Sequence, residues 1–159
     1  NAKQIAKTIV SGIMYMSPAV MILVLSFAFG DAIKLLGTGA YVSELMNVEV
    51  PLVFIAPILF IVAAIMAFAT GTSWGTFAIL VPIAVPIAME TGLPISFLVA
   101  AVLGGGIFGD HASPISDTTV VASIASGCDH FEHVKTQLPY ALVGGVATLV
   151  LYVLVGLTF

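Results

Sequence analysis

The chain has 159 residues, of which 60% are hydrophobic and 8% are charged, and its mean hydropathy is +1.21. Soluble domains carry about 25% charged residues, so this composition excludes a soluble globular protein and indicates an integral membrane protein. The net charge of −4 lacks the basic character of a nucleic-acid-binding protein, and we expect no nucleic-acid partner. A single cysteine, Cys128, excludes an internal disulfide framework.

The first predicted element is a spanning helix over about residues 9–29, with Pro18 inside it. Its apolar run is longer than the hydrophobic region of a secretory signal peptide, and more apolar segments follow it. A proline inside a spanning helix is tolerated where neighbouring helices satisfy the freed carbonyl. Because the first residue is Asn rather than Met, the sequence favours a fragment or a processed product.

Residues 31–50 hold four of the twelve formally charged side chains and predict a connector with a short amphipathic or interfacial helix ending near Met46. The apolar block that follows, residues 51–89, is interrupted by the polar stretch 69–76. Two full spans need about 40 residues plus a turn. A re-entrant hairpin with its tip at residues 71–75 therefore fits at least as well as two spans.

After a turn at residues 90–92, an apolar run over 94–109 leads into the polar motif GDHASPISDTT, and a second apolar run covers 118–127. We expect each half to be too short to cross the membrane alone. Pro114 lies between them, lacks an amide hydrogen and clashes with a preceding helical turn. The two halves together therefore predict one transmembrane helix that is broken in the middle.

A polar loop over residues 128–138 and a last span over 139–159 complete the predicted topology. With a re-entrant hairpin, three lysines fall on one membrane face and Lys34 on the other; the three are Lys3, Lys7 and Lys135. By the positive-inside rule, the N-terminus and the 128–138 loop would be cytoplasmic. The predicted fold is an all-α integral membrane protein with a single transmembrane domain over residues 1–159.

Two aspartates, Asp110 and Asp117, fall in the broken helix. A charged aspartate at mid-membrane costs about 2.5–3.5 kcal/mol on insertion scales, and intramembrane acids are usually functional. The nearest cationic groups are His111, if protonated, and Lys135, and they do not obviously neutralise the pair, whereas a bound cation or a proton would. His111 is a candidate proton relay, or it simply hydrogen-bonds Asp110.

The broken helix also concentrates oxygen atoms, because the break frees backbone carbonyls beside Ser113, Ser116, Thr118 and Thr119. Such a hard, all-oxygen environment suits Na⁺. Thr72 and Ser73 in the other interrupted segment offer the same chemistry without a charge. Two interrupted segments of this kind point to the midplane site of a transporter. We predict Na⁺ at Asp117 and Asp110, although any single hydroxyl can instead bond to its own backbone.

Two weaker motifs have simpler explanations. The stretch GGGIFG at 104–109 satisfies the dinucleotide-binding spacing, but no alternation of strands and helices surrounds it. Close helix packing through Gly105 and Gly109 is the better account. The loop CDHFEH at 128–133 holds metal ligands by residue type, yet a solvated polar loop is favoured over a zinc site.

Three long stretches resemble the signature segments of NhaC-type Na⁺/H⁺ antiporters, within the wider ion-transporter superfamily: GTSWGTFAILVPIAVPIA (71–88), FGDHASPISDTTVVASIASGCDH (108–130) and HVKTQLPYAL (133–142). LGTGAYVSEL (36–45) matches too. The resemblance covers almost the whole chain but only the C-terminal part of a typical member. It implies one of two inverted halves, each with a re-entrant hairpin and a broken helix that meet at the substrate site. The N-terminal half or a second copy would supply the other side.

The same resemblance implies a multi-pass protein of the inner or plasma membrane that exchanges Na⁺ for H⁺, with no resident cofactor. In our hypothesis Asp117, with Asp110, binds Na⁺ and H⁺ alternately. Some members are similar to carriers of malate and lactate, so a coupled organic acid or amino acid carrier is the alternative. A non-transporting scaffold half-repeat is the alternative of another class. An enzyme is disfavoured, because the sequence offers no nucleophile with a positioned base.

Overall fold

A computed structural model describes residues 2–36 and 50–159 of the chain. Within those ranges every regular element is a helix, which confirms the all-α prediction. A 3₁₀ turn, Leu52–Phe54, leads into the second of the six α-helices that these described ranges contain. The helices are α1 (Ala2–Leu35), α2 (Ile55–Thr70), α3 (Ser73–Thr91), α4 (Ile95–Ala112), α5 (Asp117–Ser126) and α6 (His130–Gly156).

Helix α1 is longer than the sequence predicts, because it begins at Ala2 and continues past Phe29 to Leu35. The first residues of the predicted connector are therefore helical. The interfacial helix expected to end near Met46 lies outside the described residues. Helix α1 packs mainly against α3.

Among the described residues, four helical segments are long and apolar enough to cross a membrane: Leu52–Thr70, Ser73–Thr91, Ile95–Ala112 and His130–Gly156. The expectation that neither half of the broken helix could span alone is wrong for its first half. Helix α4 continues to Ala112 and has 18 residues, which corresponds to about 27 Å at 1.5 Å per residue. Only the second half, α5 with 10 residues, is too short.

The polar stretch before the last span is also helical, so the prediction of a loop over residues 128–138 is wrong. Helix α6 begins at His130, and the Asp129 side chain caps it by accepting a hydrogen bond from the Glu132 amide. Such a cap satisfies one of the free amides at a helix N-terminus. The polar residues thus form the first third of the last helix, and the apolar span follows in the same helix.

Helices α2 and α4 pack closely through glycine. A Cβ on Gly105 would collide with the Phe60 carbonyl oxygen, and a Cβ on Gly109 would collide with that of Ala64. This confirms the close packing predicted for the two glycines. Because the contacts advance in the same direction along both helices, α2 and α4 run parallel, and their C-terminal ends lie side by side.

Helix α6 runs antiparallel to α4. Gly145 lies against the Phe108 ring, and further along α6 the Tyr152 ring lies 5.7 Å from the Phe97 ring, between centroids. The N-terminal third of α6 therefore lies near the C-terminal end of α4. The buried apolar core is formed mainly by α2, α3 and α4, and the polar residues of interest lie at one end of it.

Candidate functional site

Two interruptions of the helical chain meet at this end of the core. The first, here called the turn, is residues 71–72 between α2 and α3; the second, called the break, is residues 113–116 between α4 and α5. Gly71 has a φ of +69°, and a Cβ there would lie 2.6 Å from the Ile115 carbonyl oxygen. The turn and the break are therefore in direct backbone contact, as the parallel packing of α2 and α4 requires.

Asp110 joins the two interruptions. Its side chain is 3% exposed. Its Oδ2 accepts a hydrogen bond from Ser73 Oγ at 3.2 Å, and its Oδ1 accepts one from Ser116 Oγ at 2.6 Å. One carboxylate thus takes a hydroxyl from each side of the contact. A buried acid needs such partners, because an unpaired charge is costly in a medium of low polarity.

Four helix ends converge around this carboxylate. Ser73 is the first residue of α3 and Ser116 is the N-cap of α5, so two helix N-termini, with their partial positive charge, face Asp110. Helices α2 and α4 end at the same level and contribute partial negative charge from their free carbonyls. The contact therefore offers both positive and negative ends of helix dipoles within one small region.

Ser113 and Ser116 are fully buried and bridge different segments of the chain. Ser113 Oγ donates to the Phe68 carbonyl of α2 at 2.8 Å. Ser116 Oγ also accepts from the Thr119 amide at 3.4 Å and lies 2.7 Å from Thr118 Oγ1. These hydroxyls thus hold the contact together, whereas Ser123 bonds back to the Thr119 carbonyl of its own helix.

The remaining predicted site residues divide by burial. Thr119 is buried, Thr72 is half-buried at the turn, and Asp117, Thr118 and His111 are exposed. The structure thus brings Asp110, Ser73, Ser113 and Ser116 together, and it leaves Asp117 at the exposed start of α5. The assignment of both aspartates to Na⁺ stays a prediction.

His111 uses its side chain within its own helix. Its Nδ1 lies 3.0 Å from the Ile107 carbonyl oxygen. A carbonyl only accepts, so this nitrogen carries the proton and donates. The structure thus shows a bond to the backbone of α4 in place of the predicted bond to Asp110, and the relay role stays a prediction.

The sequence reasoning missed two residues of α6, one of which bonds to the break and the other to the last turn of α4. Gln137 Nε2 donates to the His111 carbonyl at 3.2 Å, and His130 Nε2 lies 2.6 Å from the Pro114 carbonyl. His130, His133 and Gln137 are spaced i, i+3 and i+7, which places them on one face of a helix. That spacing could have indicated a shared face, but only in a helix, and residues 128–138 were predicted to be a loop.

The metal-ligand types near the start of α6 do not assemble into a site. Across residues 2–36 and 50–159, no group of three His, Cys, Asp or Glu side chains is arranged to hold a metal ion. Cys128 Sγ lies 3.9 Å from His133 Nδ1, which is a weak hydrogen-bond contact.

The sequence profile of the Na⁺/H⁺ antiporter family matches residues 1–157. The chain belongs to this family. Its NhaC-type character is supported by 30% identity over 96 residues to the Na⁺/H⁺ antiporter NhaC of Alkalihalophilus pseudofirmus, a match that covers 60% of the chain and 21% of that relative. The family and the four candidate spanning helices among the described residues make it a multi-pass protein of the plasma membrane.

Two other relatives have different named substrates. The chain is 36% identical over 162 residues to the malate-2H⁺/Na⁺-lactate antiporter of Bacillus subtilis, covering 99% of the chain and 34% of the relative. It is 37% identical over 107 residues to the arginine/ornithine antiporter ArcD of Halobacterium salinarum, covering 67% of the chain and 22% of the relative. The chain thus spans about a third or less of the length of these relatives. No solved structure matches it significantly.

Proposed function

We propose that the protein exchanges Na⁺ for H⁺ across the plasma membrane and that Asp110 is the central carboxylate of its ion site. The observation that carries this proposal is the burial of Asp110 at the contact of turn and break, with one hydroxyl from each side on its two oxygens. A carboxylate, hydroxyl oxygens and backbone carbonyls are the ligand types that a hard cation prefers.

Competition for one carboxylate supplies the coupling. Na⁺ binds the ionised form of Asp110, and a proton on the same oxygens removes the charge that attracts Na⁺. Ser73 donates to the carboxylate and keeps lone pairs for a cation, whereas the lone pairs of Ser116 Oγ accept from the Thr119 amide and the Thr118 hydroxyl. Thr72, Ser113, Thr118 and Thr119 are further neutral oxygens of the proposed site. Asp117 is the second carboxylate, and His111, exposed beside Asp110, stays a candidate relay.

A second set of helices completes the proposed site. Asp117 and Thr118 are exposed, and the chain spans only 21–34% of the relatives named above. We propose that the N-terminal half of the transporter, or a second copy, lies against them as an inverted repeat. In this arrangement α2 and α3 form a re-entrant hairpin, α4 and α5 form one discontinuous helix, and access alternates by rocking between the two halves.

A coupled organic acid or amino acid carrier is the second candidate. The two helix N-termini at the site favour it, because such ends bind carboxylate groups of substrates. The names of the Bacillus subtilis and Halobacterium salinarum relatives agree with this chemistry. In this variant Asp110 keeps its role in Na⁺ or H⁺ binding, and the substrate carboxylate binds at the N-termini of α3 and α5.

Proton flux driven by a Na⁺ gradient, measured in everted membrane vesicles that carry the full-length protein, tests the proposal. Asp110→Asn removes the charge with little change of shape and should abolish the flux, and Asp117→Asn should reduce it. Asp129→Asn is the matched control, because asparagine also caps a helix and Asp129 lies outside the contact. Undiminished flux in Asp110→Asn would contradict the assignment of Asp110 to the ion site. Undiminished flux in Asp117→Asn would exclude Asp117 from that site.

Two further results separate the alternatives. Flux that requires malate, lactate or an amino acid in addition to Na⁺ would favour the carrier. A scaffold would show no flux in the unchanged protein, and replacing both aspartates would stabilise its fold, because two costly intramembrane charges are lost.

A further inference from the structure

We propose that His130 and Gln137 of α6 are positioning residues that clamp the break and so fix the geometry of the Asp110 site. Each donates a side-chain hydrogen bond to one carbonyl of the broken segment: His130 to Pro114 at 2.6 Å and Gln137 to His111 at 3.2 Å. The expected effect on ion affinity rests on the proposed function. The clamp itself rests on geometry alone.

The break leaves carbonyls that need donors. A helix ends with four carbonyls that have no partner within it, and α4 ends at Ala112. Two carbonyls here find local amides: that of Asp110 accepts from the Ser113 amide at 3.1 Å, and that of Ser113 accepts from the Ser116 amide at 3.4 Å. Those of His111 and Pro114 bond to α6 instead. Inside a membrane protein, such donors replace the water that is missing.

The His130 ring bonds to the break through one nitrogen and lies against α5 with the other. Because the Pro114 carbonyl only accepts, Nε2 of His130 is the donor. Its Nδ1 lies 3.2 Å from Ser123 Oγ, which is also 2.8 Å from His133 Nδ1. Ser123 is 1% exposed and belongs to α5. The imidazole thus bonds α6 to the break and packs against the helix that follows it, where the Ser123 hydroxyl donates to the Thr119 carbonyl.

The clamped carbonyls flank the proposed ligands. His111 follows Asp110 in sequence, and Pro114 precedes Ser116 by two residues. Both carbonyls therefore belong to the stretch of chain that joins Asp110 to Ser116, whose side chains share the short hydrogen bond from Ser116 Oγ to Asp110 Oδ1. Helical spacing of i and i+7 places His130 and Gln137 on one face of α6. Because α6 runs antiparallel to α4, that face reaches both carbonyls at once.

Loss of the clamp should loosen the break without removing an ion ligand. We expect a higher half-saturating Na⁺ concentration and an unchanged maximal rate, since the carboxylate and hydroxyls remain. A purely structural role would lower the amount of folded transporter and leave its affinity for Na⁺ unchanged. Restoring a donor of different shape should restore the affinity, because the N–H group is what the carbonyl requires.

Hydrogen–deuterium exchange of the full-length protein in lipid nanodiscs tests the clamp without any assumption about transport. His130→Phe and Gln137→Met keep the approximate size and remove the donor, so exchange in residues 115–119 should become about five to ten times faster, as expected for one lost hydrogen bond. His130→Gln keeps a donor and should stay close to the unchanged protein. Thr136→Val is the control, because Thr136 is exposed and bonds only within α6.

Equal exchange in all variants, or an increase spread over the whole of α4, would overturn the clamp. Na⁺-driven flux in the same variants is the second readout: the half-saturating Na⁺ concentration should rise about fivefold in His130→Phe and recover in His130→Gln. Faster exchange with an unchanged Na⁺ requirement would overturn the positioning role. If the unchanged protein moves no Na⁺, the proposed Na⁺/H⁺ antiport is wrong. The hydrogen–deuterium exchange rates still test the clamp in that case.

Discussion

Helix α4 makes two contacts in succession, and they differ in kind. Its glycine seam, formed by Gly105 and Gly109 against α2, joins backbone to backbone and leaves no room for a Cβ. One residue later, Asp110 begins the polar contact of turn and break, where hydroxyls and a carboxylate bridge separate segments. The seam is apolar and fixes the register of two parallel helices. The packing of α2 against α4 along the seam thus determines which polar groups meet at the ends of these helices.

The largest expected effect comes from closing the seam. Gly109→Ala places a methyl group against the Ala64 carbonyl, so α2 and α4 must separate, at a cost of about 3 kcal/mol or more. Thermal unfolding in detergent, followed by size-exclusion chromatography, measures this. Gly144→Ala is the control, because a Cβ there has no neighbour within 4 Å, and it should stabilise helix α6 by about 0.5–1 kcal/mol. Similar stability of both variants would contradict the seam.

The turn should be almost as sensitive. Gly71→Ala adds a side chain at a positive φ and against the Ile115 carbonyl, whereas Gly92→Ala adds one at a φ of +75° with no neighbour within 4 Å. The left-handed conformation costs a side chain about 1–2 kcal/mol. We expect Gly92→Ala to lose about that amount and Gly71→Ala to lose at least about 1 kcal/mol more. Equal losses in the same unfolding assay would mean that turn and break do not touch.

Ser116→Ala tests the polar contact from the side of the break. It removes the cap of α5 and one hydrogen bond to Asp110, which together should cost about 1.5–2 kcal/mol of stability. The half-saturating Na⁺ concentration should also rise in the vesicle assay. Ser126→Ala, at the exposed end of α5, serves as the control and should change neither quantity. A Ser116→Ala protein with unaltered Na⁺ dependence would argue against an ion ligand at this position.

Ser73→Ala should give the smallest effect. It removes the longer of the two bonds to Asp110, 3.2 Å against 2.6 Å, at a cost of about 1 kcal/mol. A roughly fivefold rise in the Na⁺ requirement corresponds to that energy. Thr70→Val is the matched control on the other side of the turn, since Thr70 bonds to the Met66 carbonyl of its own helix. A larger rise in the Na⁺ requirement for Thr70→Val than for Ser73→Ala would contradict the role of Ser73 at the polar contact.

Much of the fold was predictable from local chemistry. Pro114 predicts an end of a helix and the structure interrupts the helix at residues 113–116, because proline affects the backbone wherever it occurs. The packing of Gly105 and Gly109 was predictable because two small residues four positions apart lie on one face of a helix and let another helix approach closely. The polar third of α6 was not: residues 128–138 look like a solvated loop until the carbonyls of the break supply partners for His130 and Gln137.

The placement of the protein in a membrane, the interruption near Pro114 and the polar residue types gathered there all follow from the amino-acid sequence. Composition, proline and glycine act locally, so no tertiary contact is needed to infer them. The burial of Asp110 and the exposure of Asp117, by contrast, arise from tertiary packing. The two acids are seven positions apart in sequence, and the break at residues 113–116 lies between them. The parallel register of α2 and α4 then sets Asp110 alone beside the turn.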